Sequence, residues 1–466
     1  MRLWKEWWRW AEKLRPACAR NRTFMWMLAV LAAFCVREDL LGVTSFVRAL
    51  GLHAACYDRI LDFFHSPALN LATLTRTWAS WVLSAHPGLV RFNDRIVLVA
   101  DGISVPKSGR KMPAVKRLHQ QSESNNKPEF IMGHSCQAVA VLVQGLSSVA
   151  ALPLVARISQ GLVFSNRDKR TLLDKLIAIL GELAIDRPYY LVADAYYASK
   201  KIALPLLKDG NHLLTRVRSN AVAYFPPPVP EKKKRGRPRL YGTKVALKSL
   251  FDCPDAFQTV QSPVYGEKNT ELRLRALDLL WRPLGTRVRF VAVQHPVRGR
   301  CLLMCTDLGL QPVDIVQLYG YRFKIEVAFK AALRVLGAFL YHFWMKDMTP
   351  LRRNAGDQHL HRKTDAYRKA LRRKIDAYHR FMQLGIIAQG IMVAIATTAP
   401  QLVWRHFGSW LRTVRPGVCP SEMVVAMALR NSLPEFLADE SVDPNFAKFL
   451  RERVDLHHAK GMRMAA

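Results

Sequence analysis

The sequence predicts an α/β fold: a mixed sheet flanked by helices, with a β-rich insertion and helical N- and C-terminal regions. Three observations carry this. Two short apolar runs, residues 96–100 (IVLVA) and 190–193 (YLVA), each lead into an Asp, as buried strands delivering a carboxylate do. Residues 168–183 place Leu172, Leu173, Leu176, Ile179, Leu180 and Leu183 on one broad helical face. Residues 243–306 then alternate apolar and polar with the period of strands. At 466 residues the chain has the length of roughly two to four domains.

The composition narrows the function classes. A 50% hydrophobic and 10% aromatic content excludes wholesale disorder. Lys and Arg number 70 against 36 Asp and Glu, a formal net charge of +34. Such an excess makes a polyanion the expected partner, and nucleic acid fits it better than an anionic membrane surface. The eight cysteines contain no C-x-x-C pair, which argues against a zinc ribbon or redox motif and fits a reducing cytoplasm. The apolar runs at 24–35 and 385–400 are shorter than the roughly 20 residues of a membrane span, so no membrane segment and no targeting signal are expected.

In chain order, residues 1–90 read as helical. Trp4, Trp7, Trp8 and Trp10 are interleaved with Arg2, Lys5, Arg9 and Lys13, a pattern that either binds DNA or packs on a neighbour, DNA binding being the expectation. Residues 91–222 read as strands and helices. They hold the strands ending at Asp101 and Asp194, two strands around a turn at 145–148, a helix at 199–208 and a strand at 212–217. Residues 223–306 form the β-rich insertion, opened by a proline-rich basic linker containing Lys233, Lys234, Arg235, Arg237 and Arg239. Its Arg-Gly-Arg-Pro core suits phosphate contact ahead of minor-groove readout. Residues 307–400 carry a helix over about 313–343 and a basic stretch at 352–380. Residues 401–466 form a helical C-terminal region suited to dimerisation.

Three acidic residues stand out. Asp101 and Asp194 on adjacent strands would lie a few ångströms apart, and Glu326 lies on the helix at 313–343. Converging carboxylates repel, so such a group persists only where cations neutralise it. Oxygen ligands suit Mg²⁺, with Mn²⁺ able to substitute, and two such ions about 4 Å apart can activate water and stabilise a leaving oxygen in phosphodiester cleavage. On the same helix Tyr319, Arg322, Glu326, Lys330 and Arg334 follow at spacings of 3, 4, 4 and 4 and form one polar stripe. Its cations suit backbone phosphates, while Phe323, Val327 and Leu333 are expected to face the core.

These residues resemble a known family. Thr306-Asp307-Leu308, followed by Tyr319-x2-Arg322-x3-Glu326-x2-Phe329-Lys330, is similar to the C-terminal signature of DDE-type insertion-sequence transposases, and Asp101 and Asp194 match that family's first two acidic positions. The resemblance covers roughly residues 95–345. It implies an RNase H-like core, Asp101, Asp194 and Glu326 as ligands of two divalent ions, and Tyr319 and Arg322 as DNA contacts near the cleavage point. It also implies binding of double-stranded DNA at inverted-repeat element ends, a homodimer in a synaptic complex, strand nicking, hairpin ends, and joining of 3′ ends to target DNA. The expected location is the bacterial cytoplasm, at the nucleoid. One departure is Leu333, where the family's signature has a Lys; Lys330 or Arg334 stands nearby on the stripe. The second reading is a non-catalytic DNA-binding protein derived from a transposase, and metal-dependent cleavage separates the two.

Overall fold

The computed structural model describes residues 2–120, 128–229, 238–408, 414–438 and 444–456. It is mixed α/β, and the chain divides into two compact units: one of Met1–Leu89, Gly102–Ile185 and Glu326–Ala466, the other of Val90–Asp101 and Asp186–Ile325.

The second unit is built on one sheet. Strand Arg95–Pro106 lies, through its first half, parallel to Tyr189–Ala193, which lies parallel to His212–Arg216. His212–Arg216 then pairs antiparallel with Gly299–Cys305, the last strand of a meander formed with Glu271–Trp281 and Thr286–His295. The insertion is therefore continuous with the core strands, because the backbone groups on the open edge of His212–Arg216 are satisfied by the meander.

The first unit is largely helical. Its apolar centre is helix Asp365–Thr398, 34 residues long, which by length and composition is able to cross a membrane. The apolar run at 385–400, by itself too short for a span, coincides up to Thr398 with the C-terminal part of this longer helix. What marks it as a core helix is that 89% of its apolar window is buried by other elements. It packs against strand Val149–Ile158, where Gln383 Nε2 donates to Leu154 O at 2.9 Å, and against helix Asn21–Val36. The N-terminal tryptophans are core as well: Trp4 and Trp7 are fully buried, and Trp4 stacks on Phe436 at 4.9 Å. Helix Arg2–Ala11 turns its indoles inward and leaves Lys5 exposed, so Trp4, Trp7 and Trp10 are not a DNA face.

Two expected elements differ from those observed. Strand Arg95–Pro106 does not stop at Asp101-Gly102; its tail alternates half-buried and exposed, as a strand with one covered face does. The helix expected over 313–343 is broken. Pro312–Tyr321 ends at Arg322, Phe323–Ala331 follows, a π-helical turn spans Ala332–Leu336, and Gly337 at φ 63° closes it. Around Arg322 the backbone tightens to three-residue bonds, Arg322 N–H to Tyr319 O and Ile325 N–H to Arg322 O.

Candidate active site

In the second unit the register sets the first two carboxylates. Residues 96–100 pair in step with residues 189–193, ending on Ala100 opposite Ala193, and the next residue on each strand is Asp101 and Asp194. Neighbouring strands lie about 4.8 Å apart, so the two acids emerge side by side from a layer in which Ile96, Val97, Leu98, Val99 and Ala100 are fully buried. Asp194 caps the short 3₁₀ turn Ala195–Tyr197, accepting from Ala195 N–H at 2.6 Å, while Thr215 Oγ1 donates to its carbonyl at 2.8 Å. The carboxylate direction is thus set by its own turn and by the adjoining strand.

Arg322 completes this group. Its Nη1 donates to Asp101 Oδ2 at 2.9 Å, with the two side chains only 17% and 19% exposed. The Arg322 guanidinium also lies 6.0 Å from the Tyr319 ring. Burial pushes the Tyr319 phenol up to about 12, Arg322 opposing and the charge of Asp194 adding to it. Asp101, Asp194, Tyr319 and Arg322 therefore form one electrostatic group, with the phenol held protonated. The Arg322–Asp101 ion pair was missed in the sequence; a residue separation of 221 leaves no local signal for it.

Glu326 belongs to the first unit, in the first turn of Phe323–Ala331. The buried face of that helix is Ile325, Ala328, Phe329 and Ala332. Phe323 and Val327, expected in the core, are 58% and 46% exposed, because the buried residues 325, 328, 329 and 332 follow the three-to-four spacing of a different face of the helix. Leu333 is half-buried, and Lys330 and Arg334 are exposed. Among the described residues no three His, Cys, Asp or Glu side chains are grouped as a metal ion needs. Asp101 and Asp194 nonetheless suit a hard cation: both offer carboxylate oxygens, and Arg322 shows that positive charge is stabilised at Asp101. Of the linker residues, Lys233, Lys234, Arg235 and Arg237 lie outside the described residues, and Arg239 is exposed.

The comparisons with known proteins bear on this geometry. The family described as DDE superfamily endonuclease matches residues 13–282, more than half of the chain; the span contains Asp101 and Asp194 and ends before Glu326. No curated protein sequence matches. Among solved structures, a piggyBac transposase synaptic complex with hairpin DNA aligns over 93% of this chain and 76% of that one, at 13% identity and a TM-score of 0.34. Within the matched span, two parallel strands of a mixed sheet carry Asp101 and Asp194 at matching positions. The chain belongs to the DDE superfamily endonuclease family.

Proposed function

We propose that this endonuclease is a transposase. It binds the inverted-repeat ends of a mobile element, hydrolyses phosphodiester bonds there, and joins the freed 3′ ends to target DNA by a cut-and-paste route through hairpin ends. The observation that carries this reading is the placement of Asp101 and Asp194 at equivalent positions of adjacent parallel strands, with Arg322 and Tyr319 beside them. The net charge of +34 supports duplex DNA as substrate.

Asp101 and Asp194, with Glu326, would hold two Mg²⁺ or Mn²⁺ ions, which supply activation of water and stabilisation of the leaving oxygen. The chain's own residues do the remainder. Arg322 balances the Asp101 charge and offers a planar fork for a phosphate oxygen. Tyr319, kept neutral, donates a hydrogen bond beside it. Lys330 and Arg334 bind backbone phosphates along the exposed helix side, and Lys233, Lys234, Arg235, Arg237 and Arg239 do so from the linker. The active form is a homodimer in a synaptic complex, acting on the nucleoid in the cytoplasm.

The second reading, a non-catalytic DNA-binding protein derived from a transposase, rests on the same excess of basic residues, 70 Lys and Arg against 36 Asp and Glu. Cleavage of DNA carrying the gene's own flanking ends, with Mg²⁺, Mn²⁺ or chelator, separates them. Metal-dependent nicks at the element boundary, lost in Glu326→Gln, are the expected result. Tight binding without cutting in either protein would leave the second reading standing.

A further inference from the structure

Three buried polar side chains, far from Glu326 in sequence, converge on the backbone of its helix and on the exit from it. Arg37, 3% exposed, donates through Nε to Leu336 O at 2.9 Å and through Nη2 to the same carbonyl. Its Nη1 donates to Ser45 Oγ at 2.8 Å, and its guanidinium sits 4.7 and 4.6 Å from the Phe34 and Phe46 rings. Gln389, fully buried on the long helix, donates through Nε2 to Ala328 O at 2.8 Å, two residues past Glu326. Lys107 donates through Nζ to Phe339 O and Tyr341 O, just after the helix ends.

The backbone is shaped to receive them. Ala332 O accepts from both Gly337 N–H and Ala338 N–H, closing the helix over the left-handed Gly337. A Cβ at Gly337 would lie 2.6 Å from Arg37 Nη2, and one at Gly385 would lie 2.6 Å from the Ala338 Cβ. Cations favour a helix C-terminus, where carbonyls lack partners. Burying them is nevertheless expensive: burial lowers Arg37 to about 9 and Lys107 to about 7. Apolar side chains would fill the same volume without that cost. What they would not do is hold particular carbonyls at fixed positions.

We propose that Arg37 is a positioning residue for Glu326: by gripping Leu336, while Gln389 grips Ala328, it fixes the rotation and rise of the helix that presents the third carboxylate. The N-terminal helical region thereby sets where Glu326 stands. This inference rests on Glu326 serving as a metal ligand, where a displacement of a fraction of an ångström matters.

The test compares full-length wild type with Arg37→Met, Arg37→Lys and Gln389→Met. Two readouts are taken: backbone hydrogen exchange, and the Mg²⁺ concentration giving half-maximal cleavage of end-bearing DNA. In Arg37→Met, exchange rises in residues 326–338 while residues 271–305 keep wild-type protection. The Mg²⁺ requirement rises about tenfold with KM for DNA unchanged. Arg37→Lys recovers part of both effects, and Gln389→Met reproduces them from the other end of the helix. Wild-type exchange and Mg²⁺ requirement in Arg37→Met would overturn the proposal. So would protection lost equally in both regions with no shift in Mg²⁺ requirement, the signature of a merely structural arginine. If Arg37→Met does not fold, Gln389→Met decides by the same criteria. If Glu326→Gln cuts like wild type, the metal-ligand reading falls, and the exchange data alone decide whether Arg37 holds the helix.

Discussion

The aspartates and the glutamate are held in different ways. Asp101 and Asp194 sit at the end of a backbone ladder in which each residue's neighbour is set by register, so their placement survives most changes of side chain. Glu326 sits on a short helix, broken before it at Arg322 and wound into a π turn after it, whose backbone is gripped by Arg37 and Gln389. A sheet places a carboxylate by hydrogen bonds that any sequence makes; a short helix depends on particular distant side chains. The aspartate half should therefore tolerate mutation around it, and the glutamate half should not.

The largest effect expected is chemical. Asp101→Asn or Asp194→Asn should lower cleavage on the order of 10³-fold or more with the far-ultraviolet circular dichroism near wild type; the urea midpoint should stay near wild type in Asp194→Asn and fall in Asp101→Asn, which leaves the largely buried Arg322 without its carboxylate. A large loss of structure in either variant would mean that the register does not suffice to hold these residues.

Next comes the ion pair. Arg322→Ala leaves Asp101 largely buried without its guanidinium, at a cost of about 3 kcal/mol in the presence of chelator. Adding Mg²⁺ should then raise the melting temperature more in the variant than in wild type, since the cation takes over the neutralising role. Equal Mg²⁺ responses would show that Asp101 is not where the ion acts.

The helical unit should be sensitive to pH through His134. This fully buried ring faces Tyr341 OH at 2.7 Å and Pro113 O at 2.9 Å. Burial, with Lys107 nearby, lowers it from 6.5 to about 3. The unfolded chain takes up the proton first, so His134 contributes its full stability above pH 6.5, and that contribution falls as the pH drops toward 3. Between pH 6.5 and 5 the loss should be about 2 kcal/mol, and His134→Gln should flatten that slope in urea titrations. The smallest effect is at the helix exit: Gly337→Ala, at φ 63° and against Arg37, should cost about 1 kcal/mol, read as a lower urea midpoint. An unchanged midpoint would indicate that the Arg37 grip adapts.

The elements that carry the candidate site are local in sequence. The strands carrying Asp101 and Asp194, the meander and the spacing of Tyr319, Arg322 and Glu326 were all readable, because period-two alternation and short apolar runs are local signals. The strand tail at 102–106 was missed because Asp-Gly is also a turn dipeptide, and only pairing decides between the two. The tryptophans of residues 4–10 carry the composition of a nucleic-acid face and of a core face alike; packing against Phe436 and Phe446 decided for the core.

By itself, then, the sequence determined the α/β class and the pair of strand-borne aspartates, since each follows from residue type and spacing over a few neighbours. Only the tertiary structure decided that Arg322 meets Asp101, that Phe323 and Val327 face outward, and that Arg37 grips Leu336 from 299 residues away. The physical reason is desolvation. Which polar group is worth burying depends on the partner that distant segments bring to it, and a local pattern holds no record of that partner.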